Sequence, residues 1–197
     1  PALHFVPRFL GNKKMLTTYP KIFNDMSDMF KASDYINSSK YSNITDIIHL
    51  GSGGSNLGPK LIYNCFSHLS KGPNVHFISN LDPITLNSKI LKLNPLNTLI
   101  ICVSKSFSTY ETQENLNKLK IWFLNHSTEK LFYNNLFFIT SFPEKAIKYG
   151  LSSSNIIKLD TSIGGRFSIW SSSNLVNAII FGKEFFTNFL NGGKSID

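Results

Sequence analysis

Only two cysteines, Cys65 and Cys102, occur in the 197 residues of this sequence. A disulfide framework is therefore excluded, and both are expected to be free, small, buried thiols in a reducing compartment. Long hydrophobic runs are missing too. Asn, Lys, Ser or Pro interrupts every apolar stretch well short of the roughly 20 residues needed to cross a bilayer. No Cys or His spacing resembles a metal-ligand set. Lys and Arg outnumber Asp and Glu by 20 to 12, a formal charge of +8. Yet no five or six basic residues stand together, and the lysines lack the aromatic interleaving of a single-strand binder. The excess is a drift in composition over the whole chain, so nucleic acid is not the expected partner. The first residues, Pro1-Ala2-Leu3-His4, lack an initiating Met and the order of a secretory signal. The last, Gly192-Gly193-Lys194-Ser195-Ile196-Asp197, follow an apolar helical pattern with no domain ending, so the chain is expected to be a piece of a longer one.

What is present reads as alternating strands and helices. Five short, apolar segments rich in β-branched residues are predicted strands: Asp46 to Leu50, Val75 to Ser79, Thr98 to Val103, Asn135 to Thr140 and Asn155 to Leu159. Near-continuous runs such as Leu99-Ile100-Ile101-Cys102-Val103 fit strands covered on both faces. Amphipathic helices are predicted over Leu57 to His68, Ile84 to Leu93 and Thr109 to Leu124, with a shorter one after Pro143. The order βαβαβ gives an α/β fold, a doubly wound, mainly parallel five-stranded sheet flanked by helices, with its ligand site at the carboxyl ends of the strands. Residues 1–40 read as a helical lead-in, 41–168 as the α/β domain, and 169–197 as a helical extension.

Three segments carry chemistry. Gly51-Ser52-Gly53-Gly54-Ser55-Asn56-Leu57-Gly58-Pro59 follows a strand and opens a helix, where glycines and a helix N-terminus let backbone amides face an anion or a sugar hydroxyl. It is not a dinucleotide fingerprint, because Asn56 stands where glycine is needed, and no Gly-Lys-Ser/Thr follows as in a phosphate loop. An ordinary strand-to-helix turn would look similar. Ser104-Lys105-Ser106-Phe107-Ser108-Thr109-Tyr110-Glu111-Thr112 packs four hydroxyls and a lysine into six residues, a donor set suited to a phosphate monoester. Ser108 and Glu111 also have the spacing of a capping box, so one hydroxyl is expected to cap the helix while Ser104, Ser106 and Thr109 face a ligand. Ile163-Gly164-Gly165-Arg166-Phe167-Ser168-Ile169-Trp170-Ser171 holds an arginine, whose forked donors suit phosphate or an oxyanion, next to glycines that permit close approach. A Gly-Gly-Arg alone is more often a turn with a surface arginine.

In this order and at these separations the three segments resemble those of the phosphoglucose isomerase family, which read Gly-Ile-Gly-Gly-Ser-x-Leu-Gly-Pro, Ser-Lys-Thr-Phe-Thr-Thr-x-Glu-Thr and Gly-Gly-Arg-Phe/Tyr-Ser-x-Trp-Ser. Ala2-Leu3-His4, Ser79-Asn80-x-Asp82 and Leu93-Asn94-Pro95 extend the likeness over nearly the whole chain. Ser106 and Ser108 replace threonines, Ser52 an apolar residue and Pro83 a glycine, and Asn174 interrupts a helix start that is small and apolar in the family.

The resemblance implies a sugar-isomerase (SIS) type, flavodoxin-like domain and the interconversion of glucose 6-phosphate and fructose 6-phosphate through an enediol, without metal or cofactor. Carried over by position, Gly54 and Ser55 contact the sugar. Ser104, Lys105, Ser106 and Thr109, with the backbone around Phe107 and Ser108, hold the phosphate. Arg166 stabilises the enediolate charge. It further implies a sugar phosphate as the small-molecule partner, a homodimer at full length, no membrane and a cytoplasmic location. The family's base glutamate, ring-opening histidine and late lysine follow the third motif and have no counterpart here, so this chain by itself is expected to be inactive. His4, His49, His68, His76 and His126 match none of these and are expected to be structural or solvent-facing. The competing reading is a non-catalytic sugar-phosphate-binding regulatory domain, which generally lacks the third motif. A nicotinamide-binding domain fails on the glycine spacing.

Overall fold

The computed structural model describes residues 3–196, and also leaves aside the side chains of Ser39, Pro83 and Thr85. Pro1, Ala2 and Asp197 therefore lie outside the described residues, as does the side chain at the Pro83 departure.

Five strands form one sheet: β1 (Asp46–Gly51), β2 (Asn74–Ile78), β3 (Thr98–Val103), β4 (Leu136–Thr140) and β5 (Ile156–Lys158). Their order is β2-β1-β3-β4-β5, and every neighbouring pair is parallel. All five lie within a residue or two of their expected bounds. Each residue of β3 is buried, as expected of a central strand covered on both faces.

The alternation of strand side chains divides the core in two. Ile47, Leu99, Ile101, Val103, Phe137 and Ile139 face one layer, with Met26, Met29 and Phe30 of α2 (Pro20–Ile36) and Leu175, Ile179 and Phe186 of α8 (Leu175–Lys194). Ile48, Leu50, Ile100, Cys102, Leu136 and Phe138 face the other, with Leu86, Leu116, Phe123, Phe132 and Ala146. Those last five come from α4 (Pro83–Ile90), α5 (Tyr110–Leu124), α6 (Glu129–Asn134) and α7 (Pro143–Lys148). The lead-in, α1 (Lys13–Thr18) and α2, and the extension α8 thus cover one face of the sheet rather than standing apart. Helix α8 bends at Gly182, whose backbone leaves the helical region.

Two expectations need correction. The helix α6 between α5 and β4 was not foreseen: it has one turn and a half, too short for a periodic signal, and its only mark is the Thr128 hydroxyl accepting from the Leu131 amide. Cys65 is exposed on α3 (Gly54–Phe66), because apolar neighbours along the chain fall on other faces of a helix; Cys102 is fully buried in β3, and burial pushes its thiol pKa up. Both are free. Among the described residues no helix is long and apolar enough to cross a membrane.

Candidate functional site

The chain leaves β1 to one side of the sheet and β3 to the other, so a crevice opens between their carboxyl ends. Gly51 and Val103 pair there as the last residues of their strands. The glycine turn and the hydroxyl loop therefore emerge side by side.

The turn is built for close approach. Gly53 has φ +53 and ψ −128, a backbone state open to glycine and costly for other residues. Helix α3 begins at Gly54, three residues before the expected start, and includes Pro59. A proline has no amide hydrogen for the carbonyl four residues back, here Ser55. His49, buried in β1, fills that gap: its Nε2 lies 2.8 Å from the Ser55 carbonyl oxygen. Nε2 therefore carries the hydrogen, and the buried Nδ1 has no partner. Burial holds the His49 pKa down at about 4, so the ring is neutral.

The hydroxyl loop is held from behind. The Lys105 carbonyl accepts from the Ser141 amide at 3.0 Å and from the Thr140 hydroxyl at 3.1 Å. The Ser106 carbonyl accepts from Lys145 Nζ at 2.7 Å, and the Phe107 carbonyl from Gln113 Nε2 at 2.8 Å. Because a trans peptide points its N–H opposite its C=O, each anchor also fixes the direction of the amide that follows it, those of Ser106, Phe107 and Ser108 in turn. Phe107 has φ +47, strained for a side chain with a Cβ, and its ring is fixed edge-on to Phe138 and Tyr149 at 4.7 and 5.8 Å. Ser104, buried, accepts from the Phe107 amide at 3.1 Å, and the Ser106 and Ser108 hydroxyls share a 2.6 Å hydrogen bond. The expected capping box does not form: Thr109 is the N-cap of α5 and makes no side-chain cap bond, because Ser108 lies one residue too early and is engaged with Ser106.

The third segment closes the arrangement. It is a run of 3-10 helix, Gly165–Trp170, lying against α3. The contact is backbone to backbone: a Cβ on Gly54 would lie 2.1 Å from the Gly165 carbonyl oxygen and 2.6 Å from the Arg166 amide nitrogen. Asn177 donates to the Pro59 carbonyl and to Asn174, which in turn donates to the Ile169 carbonyl, so two buried amides of α8 and its start tie α3 to this segment. The Asn174 departure is thus part of a buried polar bridge, in which the Asn177 side-chain oxygen is left without a partner. Lys105 joins the second and third segments, its ammonium donating to the carbonyls of Thr161 (2.6 Å) and Ile163 (2.9 Å).

A cleft of about 680 Å³ results, lined by Lys105, Thr161, Ser162, Gly164, Arg166 and Phe167. Arg166 is exposed at this cleft, 5.1 Å from the Phe167 ring centre, and no carboxylate forms an ion pair with it among the described residues. The Phe167 ring stacks on His4 at 4.4 Å. Of the residues singled out from sequence, Lys105 and Arg166 line the cleft, Gly54 touches the Arg166 backbone, and Ser55, Ser104, Ser106, Phe107, Ser108 and Thr109 stand on the two adjoining turns. Sequence reading missed Lys145, His49 and the stacking role of His4. The lysine and His49 lie outside the three segments and reach them only through the fold.

Behind the third segment, Asp25 of α2 is buried beside Asp160, with Asp28, Lys21 and Lys158 around the same recess. Burial first, and then the Asp160 charge, push the Asp25 pKa up to about 7. Asp160 itself accepts from the Ser162 amide and hydroxyl, shaping the loop that receives Lys105.

Residues 13–197 match the profile of the family described as phosphoglucose isomerase. The chain belongs to the phosphoglucose isomerase family. It is 42% identical over 156 residues to a glucose-6-phosphate isomerase of Coxiella burnetii, covering 78% of this chain and 28% of that one. It is 38% identical over 207 aligned residues to one of Legionella pneumophila, covering 100% of this chain and 41% of that one. The chain thus spans well under half the length of these family members. In fold it is similar to a crystal structure of a glucose-6-phosphate isomerase from Chlamydia trachomatis, with TM-score 0.80 and 24% identity over 98% of this chain and 37% of that one.

Proposed function

We propose that this chain is the sugar-phosphate-binding part of a glucose-6-phosphate isomerase, an SIS-type domain of an enzyme that interconverts glucose 6-phosphate and fructose 6-phosphate in glycolysis and gluconeogenesis. The observation that supports this best is the backbone contact of Gly54 with Gly165 and Arg166, which sets the glycine turn directly against the segment whose arginine lines the cleft. The phosphate docks on the amides and hydroxyls of Ser104 to Thr109, with Lys105 alongside. Gly54 and Ser55 meet the sugar. Arg166, at the mouth of the cleft, stabilises the charge that develops on the enediolate, an effect that grows as substrate excludes water. Holding the remote phosphate also orients the reacting carbons, so the loop acts on kcat as well as on KM. The parent enzyme is a cytoplasmic homodimer in this reading.

The proton-transferring base comes from sequence after the third segment, so the 197-residue polypeptide binds substrate without turning it over. Calorimetric titration with fructose 6-phosphate tests the site. Replacing Ser104 and Lys105 together by alanine should weaken binding by about 3 kcal/mol, since hydrogen bonds to charged groups contribute roughly 1.5 to 3 each. Unchanged affinity removes the phosphate assignment, and measurable isomerisation by this polypeptide removes the claim that its base lies elsewhere.

A further inference from the structure

We infer that Lys145, which lies outside all three segments, is a positioning residue of the phosphate loop and its second cation; this rests on the phosphate reading above. Lys145 projects from α7 and donates to the Ser106 carbonyl at 2.7 Å. Its ammonium also lies 5.0 Å from the Phe142 ring centre, which holds the head group over the loop rather than out in solvent.

Ser106 is the middle of the three anchored carbonyls. The outer two are held by neutral donors, the Ser141 amide and Thr140 hydroxyl on one side and the Gln113 amide on the other. Only the central anchor carries a charge. Fixing the Ser106 carbonyl fixes the plane of the Ser106–Phe107 peptide and with it the Phe107 amide, which meets Ser104 Oγ at 3.1 Å. That peptide leads directly into the strained φ of +47 at Phe107. Without its charged anchor the peptide is held only by the Phe107 amide's bond to Ser104 Oγ, and turning over to relieve the strain would rotate a carbonyl oxygen toward the incoming anion.

The charge has its own effect. Lys105, the loop's other lysine, directs its ammonium to the Thr161 and Ile163 carbonyls across the cleft. The two lysines bracket the loop, one on the third segment's side and one behind, so a dianion bound at the amides feels both. Neither is neutralised by an ion pair among the described residues. A partly shielded charge at such a position is screened less by salt than a surface one.

Calorimetry with fructose 6-phosphate and with inorganic phosphate, at low and moderate ionic strength, on the wild-type chain, Lys145→Met and Lys145→Arg tests the inference. The methionine variant should lose about tenfold or more in affinity for both ligands and show a shallower dependence on salt, as expected when one attracting cation is removed. The arginine variant keeps a cationic donor and should stay within about threefold of wild type with the original salt dependence; it also serves if the methionine variant does not fold. Wild-type affinity in Lys145→Met, or an arginine variant as weak as the methionine one, overturns the role of Lys145 and leaves the phosphate site standing. Absence of binding by the wild-type chain to either ligand overturns both.

Discussion

His49 supplies to the Ser55 carbonyl, at 2.8 Å, the hydrogen bond that Pro59 has no amide hydrogen to give. A histidine on a strand and a proline inside a helix are thereby complementary: the second opens a gap at the glycine turn and the first closes it. The pairing also sets the histidine's tautomer, while burial, which holds its pKa down at about 4, keeps the ring neutral near pH 7.

His49→Phe should leave a partly buried carbonyl without a donor and cost about 1 to 3 kcal/mol of stability. Pro59→Ala restores an amide hydrogen at the right place in the helix. The double variant should therefore be more stable than the two single losses added together, with a coupling of about 1 kcal/mol or more in a urea-unfolding cycle. Strict additivity would show that the Ser55 carbonyl is not the shared partner.

Gly54→Ala should be severe and Gly165→Ala mild, although the two glycines touch. A methyl on Gly54 would lie 2.1 Å from a backbone oxygen, a clash that no side-chain rotation relieves, whereas a methyl on Gly165 meets nothing within 4 Å. Overpacking of this kind costs about 3 kcal/mol, and here it also pushes Arg166 away from the glycine turn. Chemical denaturation gives the stability order, and fructose 6-phosphate titration should show lost affinity in Gly54→Ala only.

Two buried groups make the stability depend on pH in opposite senses. The Asp25 carboxyl ionises at about 7 in the folded chain and near 3.8 when unfolded, so the folded state binds the extra proton between these values and stability falls as pH rises through them. His49 titrates at about 4 folded against 6.5 unfolded, so here the unfolded state binds the extra proton and stability rises with pH across that window. The two slopes offset each other from about pH 4 to 6.5. Asp25→Asn should remove the first, leaving a melting temperature that climbs with pH to about 6.5, and should stabilise the protein most above pH 7. A variant profile parallel to that of wild type would show that Asp25 ionises normally.

The sheet was legible along the chain because a central parallel strand must be apolar on both faces, and Leu99 to Val103 is a short run rich in β-branched residues that fits this pattern. The three segments proposed to form the site stood out for a related reason: close backbone approach needs glycine, and the proposed phosphate site needs hydroxyls. The Ser108–Glu111 cap was misread because the spacing alone does not say which hydroxyl is already engaged, and Ser106 had engaged Ser108. Cys65 was misplaced because neighbours in sequence are not neighbours on a helix face.

Local composition and period thus determined the strands, the helices that alternate with them and the turns, since each depends on residues only a few positions apart. The tertiary structure alone decided that Gly54 would meet Gly165, that Lys105 would reach Thr161, that His49 would serve Ser55, and that Lys145 would stand behind Ser106. The first, second and last of these pairs join residues far apart in sequence, and even the short His49 link depends on a proline further along; no local pattern encodes them. They follow from parallel strands delivering every carboxyl end, and every loop that leaves it, to one edge of the sheet.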